Sequence, residues 1–149
     1  MLNHNGNLYF LPLTSSKRKH LGWSDKTSTN YILYERLEKK SVKPELFQSN
    51  FIYKEVENGE KIKHLLAVLE IKKMIPVPNG KYDEIDMDRI ENASYRELLE
   101  KEIAFLRPLK KEILKKATKI YEEQIESGLV KPFYCNYRKL EEICNQYAT

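Results

Sequence analysis

Residues 51–78 read "FIYKEVENGEKIKHLLAVLEIKKMIPVP". Two β-favourable runs flank Asn58-Gly59, a pair that accepts the positive φ angles of a hairpin turn. The second run, Leu65 to Val77, is too apolar and branched for a ribbon with one face in water. It predicts a strand in the middle of a sheet. Pro76 and Pro78 end it, because proline cannot donate to a ladder. The centre of the chain is therefore β.

Toward the N-terminus, Asn5-Gly6 is a second two-residue hairpin signal. Asn7 to Leu13 reads as its second arm, with Pro12 near the end, while the first arm is only Met1 to His4. A hairpin with one full arm and one stub is what a chain with its beginning removed would leave. Tyr9 to His20 reads "YFLPLTSSKRKH": Thr14, Ser15 and Ser16 end the strand, and Lys17, Arg18, Lys19 and His20 follow. Leu21 to Thr29 is polar enough for a surface loop. Asn30 then caps a short helix over Tyr31 to Lys40, with Ile32, Leu33 and Leu37 partly sharing a face. A strand is the competing reading of its first half. Lys43-Pro44 breaks the element.

Toward the C-terminus, acids gather at Asp83, Glu84, Asp86, Asp88 and Glu91, and helical spacing follows. Asn92 or Ser94 caps a helix whose Tyr95, Leu98, Leu99, Ile103 and Leu106 recur at i, i+3, i+4. Pro108 breaks it near Arg107. A second helix runs to Ser127 with Gly128 as its stop. Leu109, Ile113, Ala117, Ile120 and Gln124 form its inner stripe, and Lys111, Lys115 and Lys119 line another face. Asn136 caps a last helix from Tyr137 to about Tyr147, burying Leu140, Ile143 and Cys144. Strands first and helices last predict a single α+β domain over residues 1–149.

Charge is 32% of the composition and the net is only +4, yet it is segregated. Residues 1–20 hold Lys17, Arg18 and Lys19 with no acid, and residues 101–119 hold seven cations against Glu102 and Glu112. A polyanionic partner and an ordinary solvated surface both fit this pattern. Cys135 and Cys144 lack the nearby histidines of a metal site and read as free thiols. No signal peptide or membrane-length apolar stretch appears, which points to the cytoplasm. A phosphate-binding glycine loop, a HExxH motif and a GxSxG elbow are all missing. The strand-end hydroxyls beside cations match what RNA phosphodiester transfer needs. The ribose supplies its own 2′-hydroxyl nucleophile, and the protein must align it and neutralise growing charge. The plainer reading is that the hydroxyls cap backbone groups and the cations keep a loop wet.

"YFLPLTSSKRKH", "LEIKKMIPVP", "YRELLEKEIAFLRPLKKEI" and "YCNYRKLEEICNQY", in this order and spacing, resemble the ToxN/AbiQ family of type III toxin–antitoxin endoribonucleases. Several members act in phage defence. The likeness runs from about Asn7 to Tyr147. It implies a strongly twisted, antiparallel, barrel-like sheet akin to the MazF/Kid toxins, with helices packed around it. It also implies metal-independent RNA cleavage that leaves a 2′,3′-cyclic phosphate and uses no cofactor. The implied antitoxin is a repeat-derived pseudoknot RNA, cut by the toxin and bound in its basic groove as a protein–RNA hetero-oligomer. Cellular or phage RNA would be the substrate.

Carried over by position, the resemblance gives Ser15 the scissile phosphate or 2′-hydroxyl, Thr14 its support, and Lys17 the transition-state charge. Ser16, Arg18, Lys19 and His20 would bind RNA nearby. Arg107, Lys111, Lys115 and Lys119 would grip its backbone, and Tyr9 or Tyr82 would stack on unpaired bases. The family begins with a further strand bearing tyrosine and lysine residues, which this sequence lacks. A chain without that strand is expected to keep its fold around bound RNA while cutting weakly or not at all. A non-catalytic module that only sequesters RNA is the main alternative. A helical interaction protein with a merely solubilising basic surface is the third.

Overall fold

Strand β6, Lys61–Glu70, is the axis of the computed structural model, which describes residues 2–4, 6–47 and 51–147. Strand β4, Asn30–Glu38, lies antiparallel along one whole edge of β6. The other edge is shared end to end by β3, Leu13–Ser15, and β5, Tyr53–Val56. A second, three-stranded sheet orders β1 (Leu2–His4), β2 (Asn7–Phe10) and β7 (Ile75–Val77).

The two sheets are joined by one bent ribbon. Antiparallel pairing of β2 with β7 runs to Phe10↔Ile75 and resumes between β3 and β6 at Leu13↔Leu69. Between those pairs, Leu11-Pro12 faces the longer segment 70–74, which contains a 3₁₀ turn at Ile71–Lys73. The unequal lengths turn the ribbon from one sheet into the other. The apolar run from Leu65 to Val77 is thus two strands in two sheets, as is the run from Asn7. The sheets remain open, with edges at β4 and at β3/β5, so the expected closure into a barrel does not occur.

The helix expected over Tyr31 to Lys40 is strand β4 instead. Tyr31 and Leu33 point into one core with Ala67 and Leu69, while Ile32 points into a second core with Val68 and Ile52. A strand buried on both faces shows an unbroken apolar run, which sequence periodicity cannot distinguish from a short helix. The hairpin between β5 and β6 is present but wider than a two-residue turn, since Val56 pairs with Lys61. Its loop holds Glu57, Asn58 and Gly59 at φ of 51, 57 and 85° in succession. In the first hairpin His4 pairs with Asn7 around Gly6 at φ 75°, and Asn5 lies outside the described residues.

The helices follow the sequence closely in their bounds and caps, but Ile143, expected in the interior, is 43% exposed. Helix α1, Ala93–Leu106, is capped by Asn92, whose Oδ1 accepts from the Tyr95 N–H at 3.0 Å. Pro108 sits in a 3₁₀ turn before α2, Lys110–Ser127, which Gly128 stops in the left-handed region. Asn136 caps α3, Tyr137–Gln146. Ile113, Ala117, Ile120 and Tyr121 of α2 cover the Leu33/Ala67 face of the larger sheet. The α1 stripe is only half covered, for Tyr95 and Ile103 are 50% and 41% exposed. Among the described residues no helix is long and apolar enough to cross a membrane.

Candidate functional site

A bulge in β6 decides which side chains meet at the β3/β5 edge. Leu33 pairs with Ala67 but Tyr34 pairs with Leu65, so Leu66 is an extra residue on β6. Cross-strand partners share a face of the sheet, and so do residues two apart on a regular strand. Leu33 and Glu35 of β4 therefore share a face, and so do their partners Ala67 and His64. Ser15 pairs with Ala67, and Tyr53 pairs with His64. Ser15, Glu35, Tyr53 and His64 consequently lie on one face. Thr14 pairs with Val68 and points to the opposite one, so the register separates the two hydroxyls expected to work as a pair.

The seam between β3 and β5 is closed by single bonds to Leu65. Ser16 Oγ donates to the Leu65 carbonyl at 3.0 Å, and the Leu65 N–H donates to the Ile52 carbonyl at 2.9 Å. Ser16 thus has a structural duty at the seam. The chain then turns through Lys17 to His20. The Lys17 N–H donates to His20 Nδ1 at 2.8 Å, the His20 N–H donates to the Lys17 carbonyl at 2.9 Å, and Trp23 packs edge-on to the ring. Burial, with help from the Lys19 and Lys17 charges and against Glu70, holds the His20 pKa below its usual value. His20 is therefore a neutral ring, 5% exposed, that shapes the turn and does not reach toward solvent RNA. The side chains it leaves exposed are Lys17, Arg18 and Lys19. Ser15 is exposed too, and its hydroxyl has no hydrogen-bond partner among the described residues.

His64 stands beside this edge in a cluster that the sequence did not single out. Its Nδ1 is 2.9 Å from Glu35 Oε1, and Lys101 Nζ of α1 is 2.9 Å from Glu35 Oε2. Phe51 lies over the imidazole at 4.2 Å between ring centres. Burial pushes the Glu35 carboxyl up, but the bonds from His64 and Lys101 outweigh it and hold it below the usual range. The missed signal was distance in sequence, since these partners come from β4, β6 and α1.

A groove of ≈ 500 Å³ opens between β3 and the α1–α2 junction, floored by Leu13, Leu69, Leu106 and Ile113. Arg107 and Lys110 are its only charged lining residues, and neither has an ion pair among the described residues. Lys110 falls one residue before the regular lysine row, so the i, i+4 spacing does not include it. That row, Lys111, Lys115 and Lys119, is exposed and faces away from buried Ile113 and Ala117. The two cationic surfaces are neighbours on α2 and are not one surface.

Tyr9 requires a correction. It is 0% exposed, and its hydroxyl donates to Glu141 Oε2 at 2.6 Å. Tyr121 donates to the same oxygen at 2.8 Å. Burial first, then the Glu141 bond, raise the Tyr9 pKa far above that of an ordinary phenol. Its ring packs on His4, Tyr121 and Tyr137, so no face is free for a base. Tyr82 is half-buried against Phe10. Cys135 and Cys144 are both free thiols. No group of three His, Cys, Asp or Glu side chains placed to share a metal occurs among the described residues.

Two of the solved structures that share this fold concern regulation or inhibition by RNA. One is from a bacterial antiviral system regulated by a processed non-coding RNA. It is 22% identical, with a TM-score of 0.68 over 99% of this chain and 76% of that one. The other concerns bacterial type III toxin–antitoxin systems, with selective toxin inhibition by a non-coding RNA pseudoknot. It is also 22% identical, with a TM-score of 0.62 over 97% of this chain and 74% of that one. Among curated proteins no sequence matches. The model of the family "Toxin ToxN, type III toxin-antitoxin system" matches residues 1–145, and the chain belongs to that family.

Proposed function

We propose that this chain is an endoribonuclease toxin restrained by an RNA antitoxin. It cuts RNA by in-line attack of a ribose 2′-hydroxyl on the adjacent phosphorus, leaving a 2′,3′-cyclic phosphate and a 5′-hydroxyl. No metal takes part. The observation that carries this reading is Ser15. Its hydroxyl ends an edge strand, exposed and unpartnered among the described residues, just before the exposed Lys17. Such a hydroxyl can donate to a non-bridging phosphate oxygen, and a nearby ammonium can offset the charge that grows there. Thr14 points to the other face and supports the reaction only through the backbone pairing of β3 with β6. Arg18 and Lys19 meet the RNA beside the cut.

The antitoxin is a repeat-derived pseudoknot RNA that the toxin processes and then retains in a protein–RNA hetero-oligomer in the cytoplasm. Family membership and the RNA-inhibited structural relative support this part. Lys111, Lys115 and Lys119 present an unpaired cationic row for its phosphates. The Arg107/Lys110 groove, apolar within and cationic at the rim, suits a single-stranded tail.

Incubating the chain with a tandem-repeat RNA in EDTA tests the reading. Discrete products ending in cyclic phosphate, lost in Ser15→Ala, are expected. RNA retained uncut by both proteins would make this a sequestering module instead.

A further inference from the structure

We infer that His64 is the proton acceptor of the cleavage reaction, an inference that rests on the function proposed above. A carboxylate only accepts hydrogen bonds, so the 2.9 Å contact to Glu35 Oε1 places the imidazole proton on Nδ1. In the neutral ring Nε2 is then a bare lone pair, and it has no partner among the described residues. Glu35 fixes the tautomer and the ring plane, as the acid partner of a catalytic histidine does. Lys101 anchors Glu35 in turn, and Phe51 restrains the ring from the other side. The side chain is 20% exposed, which leaves it supported yet reachable from solvent.

Position makes the assignment specific. Ala67, the partner of Ser15, lies three residues along β6 from His64, roughly 10 Å at strand rise. On a regular strand an odd spacing would send the two side chains to opposite faces. The extra residue Leu66 restores them to the same face. A sugar–phosphate link lying between them meets a hydroxyl donor at one end and an imidazole lone pair at the other.

In the step itself, Nε2 takes the proton of the 2′-hydroxyl as O2′ bonds to phosphorus. The phosphorus–O5′ bond breaks, and O5′ leaves with its electron pair and takes a proton from water. Other charged or titratable groups act on the ring from each element around it. Glu35 comes from β4, Lys101 with its partner Glu97 from α1, and Tyr53 from β5. Lys63, adjacent on β6, faces the other side and pairs with Asp25. The histidine is the group among these with a ring nitrogen that has no hydrogen-bond partner among the described residues.

The test is single-turnover cleavage of a repeat RNA against pH by the wild-type chain and by His64→Ala, His64→Gln and Ser15→Ala. RNA retention is measured in parallel. His64→Ala should slow cleavage by ~10²–10⁴-fold, a usual range for a lost acid–base group, with RNA retention unchanged. It should also lose the acid-side slope of the rate profile, and added imidazole should restore part of the rate. If His64→Ala fails to fold, His64→Gln carries the same expectation without the rescue. An unchanged rate or an unchanged profile in the folded variant overturns the inference, as does loss of retention in step with rate. If Ser15→Ala is inactive and the His64 variants are not, the inference falls and the proposed function stands. If the wild-type chain cuts nothing, both fall.

Discussion

Two polar clusters in this molecule use the same parts and reach opposite ends. In the interior, one oxygen of Glu141 accepts from Tyr9 and Tyr121, and His4 stacks on Tyr121 at 4.2 Å. At the sheet edge, Glu35 accepts from His64 and Lys101, and Phe51 packs on His64 at the same distance of 4.2 Å. Each has a carboxylate, two donors, a histidine and an aromatic face. The interior cluster is sealed, with Tyr9 and Glu141 only 0% and 7% exposed, and it clamps the first hairpin to α2 and α3. The edge cluster leaves Nε2 without a partner among the described residues, on a 20% exposed side chain that shares a face with Ser15. Burial separates a structural network from a chemical one here, since composition does not.

The contrast breaks most visibly through its interior half. Tyr9→Ala should cost ~3–5 kcal/mol in a denaturant titration, as loss of a fully buried aromatic does. It also leaves Glu141 short of a donor. Glu35→Ala, at the partly exposed edge where the Glu35 side chain is 18% exposed, should cost about 1–3 kcal/mol by the same measurement. Equal losses would mean that the two clusters do the same job.

These predictions turn on features that the sequence showed unequally. Helix caps at Asn92 and Asn136, the stop at Gly128 and the inner stripe of α2 were legible, because capping and helical periodicity are local. The central place of β6 was legible from its unbroken apolar run. β4 was not, for burial on both faces erases the alternation that marks a strand. Ser15 and Lys17 stood out as a strand-end motif, whereas the bulge at Leu66 left no mark. That one residue decides whether Ser15 shares a face with His64 or with Leu65. Tyr9 misled because an aromatic beside a polar motif looks the same in sequence whether it faces water or the core.

A pH series sharpens the comparison from a third side. The folded pKa values of His4 and His20 lie below the ordinary 6.5, chiefly through burial. Both rings are therefore neutral in the fold and take up protons more readily when unfolded. Their contribution to stability is complete above pH 6.5 and drains away as the pH falls below it. Urea midpoints should drop on acidification through that range, and His20→Gln should flatten the drop. A midpoint that rises would reverse the assignment of neutral rings.

The smallest effect belongs to the outward lysine row. Changing Lys111, Lys115 and Lys119 to Gln should leave the free energy of unfolding in urea within ~0.5 kcal/mol of wild type, since the row is exposed and unpaired among the described residues. The slope of log affinity for single-stranded RNA against log salt should flatten by about 0.7 per lysine removed. An unchanged slope would remove the row from the RNA-binding surface.

The most direct test compares two adjacent hydroxyls that the register sends to opposite faces. Ser15→Ala and Thr14→Val each delete one hydroxyl from an exposed edge strand. Cleavage of a repeat RNA in EDTA should fall by ~10²–10³-fold in Ser15→Ala, the usual loss for one transition-state donor. It should stay near the wild-type rate in Thr14→Val. A loss in Thr14→Val that matched or exceeded the loss in Ser15→Ala would contradict the account, because the reacting phosphate would then lie on the Val68 side of the sheet.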